Sequence, residues 1–301
     1  MPNSDAGLAE DEVSGANETG LGPGPRRPAP ATARTWGSQR GRSWSKLPTM
    51  VRRVIVFVVL VALWQAYVSL LHVNHLLFSS PAAAAAAFVQ GWRNGQIGSA
   101  TATTLEVLFI GMVIGVGLGL VLTVLATLTT LGRDFVMLMT AMLNPLPSIA
   151  ILPLALIWFG LSNNALIFVI VLAVVWPMAI TMSAGFTTIN PTLLMAARNL
   201  GLSGWRMTAY VLLPAALPYV IGGFKVSWAF AWRTIIAAEL VFGTAGGTGG
   251  LGYYISNEQY FLKIPNVFAG LISIAIIGIG MDVLLNFIEK RTVVRWGMQR
   301  V

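Results

Sequence analysis

NPTLLMAARNLGLSGWRMTAYVLLPAALP, residues 190–218, is a helix-turn-helix of modest polarity between two stretches hydrophobic enough to cross a bilayer. Asn190 is placed to cap a helix beginning at Pro191, where the N–H that proline lacks would go unpaired in any case. Gly201 supplies the left-handed residue that ends it, so the helix has roughly ten residues and a length on the order of 15 Å. Ser203 can cap a second helix that runs through Trp205, Arg206 and Tyr210 toward Pro214. A preformed helix at the face of a membrane suits a docking surface better than any other role.

The flanking stretches decide the class. Of the 301 residues, 56% are hydrophobic and 10% charged, whereas soluble domains carry about a quarter charged residues. The expected fold is therefore an all-α polytopic membrane protein with six transmembrane helices. The spans of about 20 residues are Val54–Leu71, Leu105–Leu128, Phe135–Phe159, Ala165–Gly185, Leu217–Val241 and Val267–Phe287. They must be helical, because backbone polar groups in lipid are satisfied only within the segment. Residues 1–50, rich in Pro, Gly, Ser and Ala, cannot bury a core and read as a disordered tail. The membrane domain covers 51–291, and 292–301 form a C-terminal tail. A signal peptide competes for the first span, since Ala82–Ala87 follow it. That run is longer than a signal core and starts about fifty residues in, which favours an uncleaved anchor.

Six spans put both termini on one side. Of the 19 Lys and Arg, fifteen fall in the tail through Arg53, in the second-to-third and fourth-to-fifth loops, and at the C-terminus. The other side has only Arg93 and Lys263, and Lys225 and Arg233 lie within the fifth span. The positive-inside rule puts the termini and the 190–218 helix pair in the cytoplasm. The net charge of +8 is thus topology, not affinity for nucleic acid.

Several features within and between spans carry chemistry. Gly111, Gly115, Gly117 and Gly119 form overlapping small-xxx-small patterns for close helix packing, within the chain or across a dimer. Pro145, Pro147 and Pro153 interrupt the third span, which is expected to be kinked and to face protein or a cavity. Ionisable residues inside spans are functional candidates because burying them in hydrocarbon is costly. Arg233 can meet an anionic solute with its planar fork, the alternative being an ion pair with another span. Glu239, six residues on, lies near the opposite helix face and is read as structural or gate-forming. Asp282 can reach the cytoplasmic interface. Trp158, Trp176, Trp228 and Trp232 line a cavity or, as membrane tryptophans commonly do, an interface belt. His72 and His75 could pair on a metal, but an interfacial turn is the better reading. Zero cysteines exclude disulfides and thiolate metal sites.

Nothing points to a catalytic centre. There is no Ser/His/Asp set and no HExxH, and the acids are scattered. Gly247-Thr248-Gly249-Gly250-Leu251-Gly252 fits GxGxxG by letter, yet a dinucleotide fingerprint needs a preceding strand in a βαβ unit. Here a membrane helix precedes it, and a turn over Gly243–Tyr254 on the outer side is expected. No GxxxxGK[ST] occurs, so the chain cannot hold ATP phosphates by that route.

Ala196-Ala197, Gly201, Val211, Leu213 and Pro214 resemble the EAA–x3–G–x9–I–x–LP signature of permease subunits of bacterial ABC importers, with Val211 at the Ile position. Met195 departs from it where the family carries Glu. Trp232-Arg233-Thr234-Ile235-Ile236-Ala237-Ala238-Glu239-Leu240, then Gly249-Gly250-Leu251-Gly252-Tyr253, look like the nitrate/sulfonate/taurine branch, the binding-protein-dependent transport inner-membrane components. Leu143-Asn144-Pro145-Leu146-Pro147 with Pro153 and Trp158-Phe159-Gly160 add to the likeness, which runs from about Val54 to Arg291.

The resemblance implies a type I ABC importer permease fold with a cytoplasmic coupling helix near 190–201. It implies a homodimer in the bacterial inner membrane, both termini cytoplasmic, served by two ATP-binding subunits and an extracytoplasmic substrate-binding protein. The chain would hold no cofactor itself, and the partner ATPase would use ATP and Mg. Coupling falls to Ala196, Ala197, Arg198, Gly201, Leu213 and Pro214; the pathway candidates are Arg233, Glu239, Pro145, Pro147 and Trp232. The cargo would be an aliphatic sulfonate, taurine, nitrate or similar anion, with a thiamine pyrimidine precursor as the alternative. An ATP-independent channel or secondary transporter is the rival from another class, and it would call for an intramembrane acid relay or inverted repeats. A membrane-tethered DNA-binding protein would need a basic recognition helix, and the second helix offers only Arg206.

Overall fold

The computed structural model describes residues 48–71, 73–74, 76–242 and 249–294; His72, His75 and the first half of the expected 243–254 turn lie outside them. Twelve helices follow in order among the described residues. They are α1 (Thr49–Leu70), α2 (Pro81–Arg93), α3 (Gln96–Leu128), α4 (Thr130–Leu143), α5 (Leu152–Phe159), α6 (Asn163–Thr187), α7 (Pro191–Asn199), α8 (Gly204–Met207), α9 (Leu213–Ala215), α10 (Leu217–Phe242), α11 (Leu251–Tyr260) and α12 (Ile264–Glu289). Prolines mark many of the starts: Pro81, Pro153, Pro191, Pro214 and Pro265 all fall in the first two helical positions, where the missing N–H costs nothing.

Four helices are long and apolar enough to cross a membrane alone, namely α1, α3, α6 and α12, and six spans result if each bent pair is one span. The third expected span is not one kinked helix. α4 and the Ser148–Phe159 segment meet at 90°, because Pro145 and Pro147 remove two backbone donors within three residues. The fifth begins at Leu217 as expected, but it is set at 70° to the Gly204–Ala215 segment before it.

α6 is the centre of the bundle. Ile170, Val174 and Met178 along one of its faces are fully buried, and they receive the glycine stripe of α3. A Cβ on Gly111, Gly115 or Gly119 would meet these three side chains at 2.6, 2.7 and 2.9 Å respectively. Lipid tails give apolar helices no hydrophobic reason to associate, so this close approach is what holds α3 to α6. The small-xxx-small pattern is therefore used within the chain; Gly117 faces open space.

α10 lies on another side of α6, with Trp228, Ala231 and Ile235 in the shared core. Lys225 of α10 pairs with Glu289 (2.6 Å) and bonds Asn286 (2.7 Å), joining α10 to the end of α12. At the opposite end, Ala87 of α2 and Ile97 of α3 form a separate cluster with Leu251, Tyr254 and Ile255 of α11 and Ala269 of α12. Ala82–Ala87, the small residues that made a signal peptide the competing reading, belong to helix α2, capped by the Ser80 hydroxyl accepting from Ala83 N–H.

Candidate functional site

The 190–218 segment folds from its caps outward. The Asn190 side chain accepts from Thr192 N–H at 2.9 Å, and α7 ends in a Schellman motif: Leu202 N–H donates to Ala197 O and Gly201 N–H to Arg198 O. Gly201 has φ +78°, a conformation that penalises any side chain with a Cβ. Ser203 holds the N-cap position of α8, but its side chain makes no capping bond; only its carbonyl takes part, accepting the first helical bond from Met207 N–H. The second helix is also not continuous, passing from α8 through a π-helical turn, Thr208–Leu212, into α9.

Only one side of α7 is tied down. Ala197 is buried, and Leu194 packs with Phe186, Ile189 and Leu212 beneath it. The other side is open: Leu193, Met195, Ala196, Arg198 and Leu200 are exposed, Leu200 by 80%. Trp205 and Tyr210 extend the open apolar surface at 64% and 72% exposure. Leu213 and Pro214, also exposed, begin the corner that turns into α10. Met195 thus adds an apolar thioether to this surface.

A second feature lies away from the ends of α6 and α10. A cavity of about 420 Å³ is lined by the α4–α5 break, including Asn144, Pro145, Pro147 and Ser148, by Trp176 and Pro177 of α6, and by Phe230, Arg233, Thr234 and Ala237 of α10. Those α10 positions recur at i, i+3, i+4 and i+7, one helical face. Arg233 is exposed and takes part in neither of the ion pairs found among the described residues, Lys225–Glu289 and Lys263–Glu258. Among the described residues, no acidic side chain lines the cavity. Asn144, Ser148, Thr234 and Trp176 add amide, hydroxyl and indole groups to the same lining. Irregular backbone at this depth is tolerated where it borders a cavity, and here it does.

These two features sit in a chain whose residues 111–294 match the family described as binding-protein-dependent transport system inner membrane component. The chain belongs to that permease family. It is 31% identical over 237 residues to the putative aliphatic sulfonates transport permease protein of Escherichia coli strain K12, covering 79% of this chain and 88% of the relative. It is 34% identical over 148 residues to the taurine transport system permease protein of the same organism, covering 49% and 52%. Among solved structures, an amino acid ABC transporter crystallised with histidines superposes with a TM-score of 0.54 at 18% identity, over 68% of this chain and 98% of that one. The last likeness is one of fold.

The permease separates the candidates that the sequence grouped. Pro145, Pro147 and Arg233 share one cavity. Trp232 and Glu239 are placed elsewhere, because with Trp228 and Ile235 they follow the other face of α10. Trp232 stacks on Trp228 at 6.1 Å and 12°, so of the four tryptophans Trp176 lines the arginine cavity and these two fill core. Glu239 is buried and accepts from the Thr104 hydroxyl (2.9 and 3.0 Å to its two oxygens) and from Gly252 N–H (2.8 Å). Thr104 in turn accepts from Leu251 N–H at 2.8 Å. The first turn of α11 is therefore held by a carboxylate of α10 and a hydroxyl of α3.

This network was not legible, since Thr104 and Glu239 are 135 residues apart. It accounts for two glycines of the false dinucleotide run, Gly250 and Gly252. A Cβ on Gly250 would overlap the Glu239 carboxylate, and one on Gly252 would lie 2.5 Å from Ile236 O. The motif leads into a helix packed on a helix, and residues 251–254, expected as turn, are helical. Thr104→Val is expected to cost about 2 kcal/mol, as loss of a hydrogen bond to a charged group does. Hydrogen exchange checks it: protection at the Leu251 and Gly252 amides falls while that at α6 stays.

Proposed function

We propose that this permease forms a homodimer that imports a small oxyanion, an aliphatic sulfonate, taurine, nitrate or a related solute, driven by ATP hydrolysis in two partner subunits that use Mg. A soluble binding protein delivers the solute to the outer side, and both termini lie in the cytoplasm. The chain itself performs no catalysis. The observation that carries the reading is Arg233: among the described residues, a cation without an acid partner, in a cavity that no acid lines, beside a broken membrane span. Leaving such a charge in hydrocarbon is costly, and a passing oxyanion with water offsets that cost. The planar fork also matches the oxygens of a sulfonate, nitrate or carboxylate.

In this reading α7 is the coupling helix. Its open side, including Met195, Ala196 and Arg198, seats in the ATP-binding subunit, while Ala197 and Leu194 anchor it to the permease. Motion reaches the cavity along the two helices that leave this anchor: α6 ends three residues before Asn190, and α10 starts just after the Leu213–Pro214 corner. Both contribute cavity walls.

Uptake by the assembled transporter in proteoliposomes, with its binding protein, tests the substrate class. Taurine, an alkanesulfonate or nitrate is expected to accumulate, and at least one of them to compete with the others. Accumulation of an uncharged pyrimidine, with no effect of the anions, would overturn this reading.

A further inference from the structure

A second cavity, about 730 Å³, opens between the cytoplasmic ends of α3 and α6 and the start of α4. Its character differs from that of the arginine cavity. Val136, Met137 and Ile180 make much of the wall apolar, with Arg133 at its edge and Thr140 and Ser183 inside. Arg133 is exposed and in none of the ion pairs among the described residues. Among the described residues no acid lines the groove; Asp134 is adjacent in sequence but not part of the wall.

We propose that this groove binds an anionic phospholipid of the cytoplasmic leaflet, its phosphate on Arg133 with the Ser183 hydroxyl nearby in the lining, and an acyl chain along the Met137–Ile180 wall. Three observations select this occupant. The groove lies at the membrane face that the lysine and arginine distribution places toward the cytoplasm, where anionic headgroups concentrate. Its charge is a single cation, complementary to one phosphate. Its size and apolar wall exceed what a small hydrated oxyanion would fill. The floor has a further consequence, because Phe186 and Leu212 line the groove and also pack against Leu194 under α7. The bound lipid thus rests on the layer that supports the cytoplasmic helix. The inference needs only the membrane topology and stands apart from the transport reading.

The test uses the full-length permease in nanodiscs of phosphatidylcholine doped with phosphatidylglycerol, with retained lipid counted by native mass spectrometry. The wild type is expected to keep phosphatidylglycerol in preference to phosphatidylcholine. Arg133→Gln is expected to lower that retention about fivefold, the effect of one basic residue at an anionic surface. Ala141→Trp, which fills the groove from an exposed position and leaves Arg133 intact, is expected to abolish the preference. Equal retention in wild type and Arg133→Gln would overturn the proposal. Full retention in Ala141→Trp would reduce the effect to surface attraction, and displacement by inorganic phosphate would identify a headgroup-only anion site; either also overturns it. Failure of ATP-driven uptake leaves these measurements unaffected.

Discussion

Gly201→Val is expected to disconnect the permease from its ATPase while leaving the membrane bundle folded. Nothing lies within 4 Å of where a Cβ would stand, so space is not the issue. The cost comes from φ +78°, where a β-branched residue stores on the order of 1–3 kcal/mol of strain. Relaxing it breaks the bonds from Leu202 and Gly201 to Ala197 and Arg198, and the open side of α7 loses its fixed angle. ATPase-subunit association, measured by titration in detergent, is expected to weaken roughly tenfold or more. Gly201→Asn tests the cause, since asparagine tolerates the left-handed region; it should restore most of the affinity. Equal weakening by both variants would point to loss of glycine's size instead.

Arg233→Gln should produce the largest loss of transport without loss of folded protein. Removing an interaction with a charged group costs about 1.5–3 kcal/mol, which corresponds to roughly ten- to hundredfold in uptake. Folding should be spared, because Arg233 has no ion-pair partner among the described residues and faces a cavity. Lysine keeps the charge and loses the fork, so Arg233→Lys should recover only part of the rate. Initial uptake by the two variants, each normalised to reconstituted protein, measures both effects. Wild-type uptake in Arg233→Lys would remove the fork from the account, and wild-type uptake in Arg233→Gln would remove the residue.

The elements that lipid and caps dictate were readable from residues alone. Asn190 and Gly201 bound α7 as expected, and Leu217 starts α10, because proline and left-handed glycine act through local backbone geometry. The α3 glycines were readable as a packing stripe, although only the structure names Ile170, Val174 and Met178 as their partners. Pro145 and Pro147 announced a break but not its 90° angle, which depends on what the two halves pack against. α2 and α11 were missed altogether. Both are short, and LGYYISNEQY of α11 is too mixed to stand out from a loop; they are held by one another, by α12 and by the Glu239–Thr104 bonds. The cavity itself was half visible. The 230, 233, 234 and 237 spacing separates Arg233 from the Trp232 and Glu239 face, yet nothing local shows that Arg233 lacks an acid partner in the other helices.

ATP-dependent accumulation of the solute is the most direct test of the central claim. The permease, reconstituted with its ATP-binding subunits and binding protein, should accumulate a sulfonate, taurine or nitrate only when ATP and Mg are present on the α7 side. The permease alone should accumulate none. Equal uptake by the isolated chain without ATP would contradict the account and favour a channel or secondary transporter.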